Sequence, residues 1–95
     1  MTELTRYERA SDFDARVYSK FKGKRSQCEF LAEYLDMYGS ITPLEALTAF
    51  GCFRLSARIA DLREDGYRIK TDINEDGKRY AVYRLQEDED VQDND

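Results

Sequence analysis

Arg54 and Arg58 stand four residues apart. On a helix that spacing brings two side chains to one flank, one turn from each other. A guanidinium is planar, permanently charged and donates two parallel hydrogen bonds, a geometry that suits a phosphate or the guanine edge. Ser56 and Ala57, lying between them, are small enough to let a helix approach a surface closely. A local alternative also exists: Asp61 follows Arg58 by three residues and can pair with it. Further cations fall in two groups. Lys20, Lys22, Lys24 and Arg25 form a basic run, and Lys78 and Arg79 follow the turn sequence Asn74-Glu75-Asp76-Gly77, whose two acids oppose a phosphate contact there. Thr42 marks a helix start, where unpaired backbone N–H groups favour an anion, although the same threonine serves as an ordinary cap.

Little else in the chain suggests bond-making chemistry. Histidine is absent, which removes the commonest proton shuttle and metal ligand. There is no Gly-rich phosphate loop, no G-x-S-x-G and no metal-spaced cysteine set. Cys28 and Cys52 read as free thiols in apolar settings. The expectation is a protein that is not an enzyme, with no catalytic residues, no metal ligands and no cofactor.

The elements that must position the arginines are legible. Thr42, Pro43 and Glu45 make a capping box with proline at the first helical position. Leu44 and Leu47 then supply an apolar stripe, while Ala46 and Ala49 permit a close neighbour. Gly51 interrupts the pattern with a residue free to take positive φ. A helix over 53–65 follows, with Leu55, Ile59 and Leu62 on the buried face at i, i+4 and i+7. That direction puts Arg54, Ala57 and Asp61 on the far side and Arg58 at the flank. Two helices about a glycine turn outline a helix-turn-helix.

Upstream, Ser11 and Asp14 form a weak cap, and Phe13, Val17 and Phe21 recur at helical spacing, so the pattern predicts a helix from Asp12 to Phe21. Gly23 ends it. Ser26 and Glu29 are a full capping box for a helix whose stripe is Cys28, Leu31, Leu35 and Tyr38, with Tyr34 beside it and Gly39 as its stop. Ser40-Ile41 can pair as a short strand. After Gly66, residues 67–73 alternate as a strand, and 79–85 form the return strand, whose inward face the pattern leaves open between Ala81, Tyr83, Leu85 and Tyr80, Val82. The tyrosines fall where a ring buries its body and wets its hydroxyl. Three stretches result: an N-terminal extension over 1–25 with a helix and a basic arm, a domain over 26–85, and an acidic tail over 86–95, expected to be disordered.

The chain has 95 residues and a net charge of −5. The last ten residues hold six acids and no base, so residues 1–85 carry fifteen cations against fourteen anions and are near neutral. The tail admits three readings: a solvating end, a competitor that folds back on the basic surface, or a dock for a basic partner. The charged amino terminus is no signal peptide, and no apolar run approaches a membrane span, which points to the cytoplasm and away from membranes.

Three helices and a hairpin make a mostly α fold with a small β-hairpin (α+β), a winged helix-turn-helix with a three-helix core and a C-terminal wing. Residues 26–85 resemble the small winged helix-turn-helix proteins of bacteriophages and prophages, on the run GSITPLEAL, then FGCFRLSARIADLREDGYRI, then KRYAVYRL. The resemblance implies a domain that binds double-stranded DNA, with the helix over 53–65 in the major groove. On that reading the contacts fall to Arg54, Ser56, Ala57 and Arg58, with Thr42, Lys78, Arg79, Lys22, Lys24 and Arg25 around them. Such a protein acts as a transcriptional regulator or as a DNA-architecture or recombination factor. The alternative is a phage-encoded module that binds a host or phage protein, such as an inhibitor of a nucleic-acid enzyme, through the tail and the extension. A homodimer is compatible with either.

Overall fold

Thr5 and Glu8 open the first helix. The Thr5 hydroxyl accepts from the Glu8 N–H at 3.1 Å, and the Glu8 carboxylate accepts from the Thr5 N–H at 3.0 Å. This reciprocal box sets α1 at Arg6–Phe13, six residues earlier than the pattern around Ser11 suggested. It wins because glutamate reaches back to the cap where Asp14 is too short. A π-helical turn, Asp14–Tyr18, carries the chain into the short α2, Ser19–Phe21. The computed structural model describes residues 4–73 and 80–86; the tail and the hairpin turn with Lys78 and Arg79 lie outside that range.

Helix α3, Gln27–Tyr38, starts on the Ser26–Glu29 box and stops at Gly39, which has φ 85°. The two-residue β1, Ser40–Ile41, leads to α4, Pro43–Phe50, capped by Thr42 and Glu45. Gly51, at φ 66°, ends α4. Its N–H donates to the Leu47 carbonyl at 3.0 Å, the 5→1 bond of an αL stop, and the Cys52 N–H donates to the Ala46 carbonyl at 3.2 Å. Helix α5 spans Leu55–Glu64. It begins two residues later than the expected 53, because Phe53 and Arg54 belong to the turn. Strands β2, Ile69–Ile73, and β3, Ala81–Leu85, complete an antiparallel sheet in the order β1-β3-β2. This is the α+β architecture of a winged helix-turn-helix, with the expected short strand present.

Register settles the open strand face. Ile69 pairs with Leu85 and Thr71 with Tyr83, while Ile41 of β1 also faces Tyr83. Ile69 is buried, and Tyr83 and Leu85 pack on the core. On the opposite face Asp72 draws Lys70 and Arg84 into ion pairs at 3.8 and 2.9 Å. Val82 is buried on that second face, opposite Asp72. Arg63 of α5 ties helix to sheet, donating to the Ile69 carbonyl at 2.7 Å and to the Thr71 hydroxyl at 2.9 Å.

The core centres on four rings. Phe13 of α1 lies 5.1 Å from Tyr34, 5.9 Å from Phe50 and 6.3 Å from Phe30, edge-on or tilted in each case. Such pairs add about 0.5–1.5 kcal/mol beyond the area they bury. The helix ahead of residue 26 thus contributes to the same core as those after it.

Helix α4 turns a different face inward from the one its leucines suggested. Leu44 and Leu47 are exposed, while Glu45, Ala46, Ala49 and Phe50 are buried. A glutamate goes inside because its charge is matched there. Its carboxylate accepts from Arg6 at 2.8 Å, Arg9 at 2.8 Å, the Tyr34 hydroxyl at 2.6 Å and the Thr42 N–H at 2.9 Å. Arg9 also donates to the Ser40 carbonyl at 2.7 Å and hydroxyl at 3.1 Å, so one cluster joins α1, α3, β1 and α4.

This cluster gives stability an alkaline limit. Burial, and then the Glu45 carboxylate, hold the Tyr34 hydroxyl well above the ordinary tyrosine range. Its folded-state pKa is raised, so its contribution is complete below the unfolded value of about 10 and lost as pH climbs toward the folded one. Urea denaturation midpoints should show no Tyr34-linked decline below about pH 10 and fall above it. Tyr34→Phe should flatten that decline; an unaltered slope would disprove the linkage. No helix among the described residues is long and apolar enough to cross a membrane.

Candidate nucleic-acid interface

Leu55, Ile59 and Leu62 are 1–3 % exposed, so α5 is seated by the face its spacing predicts. The rest of the helix follows from that seating. Ser56 is exposed, and Ala57 and Arg58 are half-buried. Arg54 stands exposed at the N-terminal boundary of α5, where it makes no side-chain capping bond. Among the described residues none of the ion pairs includes Arg54. Arg58 does form the local pair, reaching Asp61 at 3.0 Å. An i,i+3 pair at the surface is worth only about 0.3–0.5 kcal/mol, so an incoming phosphate can compete for the guanidinium.

The side-chain amide of Gln27 donates to the carbonyls of Phe50 at 3.2 Å and Gly51 at 3.5 Å. This tether holds the first turn of α3 against the turn before α5. Of the residues ahead of it, Lys22 and Lys24 are exposed, and the Lys22 ammonium lies 6.0 Å from the centroid of the Tyr18 ring. One residue on, the Cys28 thiol lies 3.7 Å from Asp61. Gln27 carries no charge and sits on no sequence motif, so nothing in the pattern marked it.

Two expected contact residues are committed elsewhere. Arg25 pairs with Glu33 and places its guanidinium 3.8 Å from the centroid of the Phe21 ring, which pins the α2–α3 junction and removes Arg25 from a free arm. Thr42 is 5 % exposed, with both its N–H and its hydroxyl engaged by Glu45. The anion at the start of α4 is therefore the protein's own carboxylate, and Thr42 is an internal cap. Lys78 and Arg79 lie outside the described residues.

Phe53 is the surface residue that the pattern missed. Read as the first residue of a helix, it instead occupies the bend before α5 and is 84 % exposed. Leaving a phenylalanine in water forgoes roughly 2 kcal/mol of burial. The available signal was its position, since two residues after Gly51 the chain has not yet regained helical geometry.

The thiols offer no nucleophile. Burial, followed by Asp61, raises the Cys28 pKa, and burial raises that of Cys52. Neither is a thiolate at neutral pH. What the surface presents is fixed positive charge, donors and one exposed ring.

No curated protein and no solved structure matches the chain. A family model described as a winged helix-turn-helix domain matches residues 26–88, more than half of the sequence. It begins at the Ser26 cap and runs beyond β3. The match includes α3, the turn, α5 and the sheet, the elements that present Arg54. The chain belongs to the winged helix-turn-helix domain family, whose fold is a DNA-binding one.

Proposed function

We propose that this protein binds double-stranded DNA by laying α5 in the major groove. The observation that carries the reading is the exposed Arg54 at the head of a helix whose other face is seated in the core. Arg54 reads a guanine or grips a phosphate, Ser56 and Ala57 allow close approach, and Arg58 exchanges Asp61 for the nucleic acid. Lys22 and Lys24 lie along the backbone. The role that fits is a small phage or prophage transcriptional regulator, or a DNA-architecture or recombination factor, acting in the cytoplasm.

A duplex recovered by selection from a random-sequence pool tests this. Arg54→Ala should weaken binding by about five- to 150-fold, the range for losing a bidentate base contact. Lys22→Ala should weaken all sequences alike and lower the salt slope by about one. Wild-type protein that retains no duplex at low salt would sink the proposal. A second reading, a module for a protein partner, draws on one observation. Tyr7, Pro43, Leu44 and Tyr80 line a cleft of about 480 Å³ between α1 and α4.

A further inference from the structure

We infer that Phe53 reads thymine, seating its ring against the 5-methyl group of one base in the major groove. The inference rests on the DNA-binding reading and names a specificity determinant within it. Phe53 is 84 % exposed. It directly precedes the exposed Arg54, which none of the ion pairs among the described residues includes. An apolar ring beside an exposed guanidinium calls for an occupant that is a polyanion and also offers apolar surface. Duplex DNA meets both demands, because the thymine methyl is the apolar feature of the major-groove edge and phenylalanine is among the side chains that contact it. A protein partner of ordinary apolar character would leave the neighbouring Arg54 guanidinium unpaired in the contact, at a cost in desolvation.

The position of the ring supports the assignment. In a helix-turn-helix the N-terminal residues of the second helix meet the base edges. Phe53 lies two residues before Leu55, on the side from which that helix enters. Arg54 and Phe53 thus address adjacent positions by different chemistry, one donating hydrogen bonds and the other excluding water.

The test uses the full chain and a duplex selected by the wild-type protein, with each thymine replaced in turn by deoxyuridine, which removes only the methyl group. At one position the wild type should lose about fourfold in affinity, the worth of one buried methyl. Phe53→Ala should bind the thymine and deoxyuridine forms equally at that position, and Phe53→Leu should restore part of the difference. Because the ring is exposed, Phe53→Ala should unfold at the wild-type temperature, which separates a lost contact from a lost fold. The inference is overturned if no thymine shows the effect, or if Phe53→Ala keeps the wild-type ratio, the outcome expected were Phe53 to serve a protein partner instead. Loss of wild-type binding to every duplex would overturn it together with the DNA reading. A normal Arg54 dependence with no methyl effect would overturn this inference alone.

Discussion

Glu45→Ala should lower unfolding free energy by about 3–5 kcal/mol, the cost of breaking a buried ion pair from one side. The carboxylate is 3 % exposed and accepts from two arginines, a tyrosine hydroxyl and a backbone N–H. Its removal leaves Arg9, itself only 14 % exposed, with a charge and no counter-ion, and leaves the Tyr34 hydroxyl without its acceptor. It also removes the reciprocal half of the α4 capping box, the bond from the Thr42 N–H, while the Thr42 hydroxyl keeps its own. Glu45→Gln keeps the shape and some of the hydrogen bonds but not the charge, and should fall between. Urea denaturation followed by circular dichroism gives both values. A loss under about 1 kcal/mol for Glu45→Ala would mean that the cluster contributes no more than an exposed pair.

Phe13→Ala should cost about 3–5 kcal/mol, as for other fully enclosed phenylalanines. The ring has 0 % exposure and touches three aromatic neighbours drawn from α3 and α4. The truncation leaves a cavity bounded by rings that cannot all shift inward, because each packs on another. Since α4 and α5 make up the helix-turn-helix unit, the loosening should also weaken any duplex binding at temperatures near the lowered midpoint. Thermal melts of Phe13→Ala beside Tyr7→Ala make the comparison internal: Tyr7 lies on the same helix but is 68 % exposed, and its loss should change little. Equal effects at the two positions would refute the role given to α1.

Much of this architecture could be read from caps and periods, for reasons that particular residues show. Ser26, Thr42, Gly39 and Gly51 act through local backbone geometry, which needs no knowledge of distant chain. Leu55, Ile59 and Leu62 were equally plain, because one periodic stripe faces one core. The inward face of α4 was not. A rule that puts leucine inside and glutamate outside fails when two arginines 36 and 39 residues away neutralise the glutamate. The beginning of α1 was legible at Thr5 and Glu8 but was outweighed by the apolar spacing of Phe13, Val17 and Phe21, which tracks a helix without marking its end. The site divides the same way. Arg54 is exposed in the turn before α5 rather than on the helix its period implied, and the Thr42–Glu45 box is local and legible, whereas the tether by Gln27 depends on carbonyls that only folding brings near.

The matched family stretch begins at residue 26, yet the cations that permit a carboxylate at position 45 come from residues 6 and 9. The matched unit and the unit that folds therefore differ by the helical segment from Arg6 to Phe21. A fragment cut to the common stretch would keep the Tyr34 and Thr42 contacts of this carboxylate but lose both of its cations. The N-terminal extension thereby becomes part of what keeps α4 charged on its inner face.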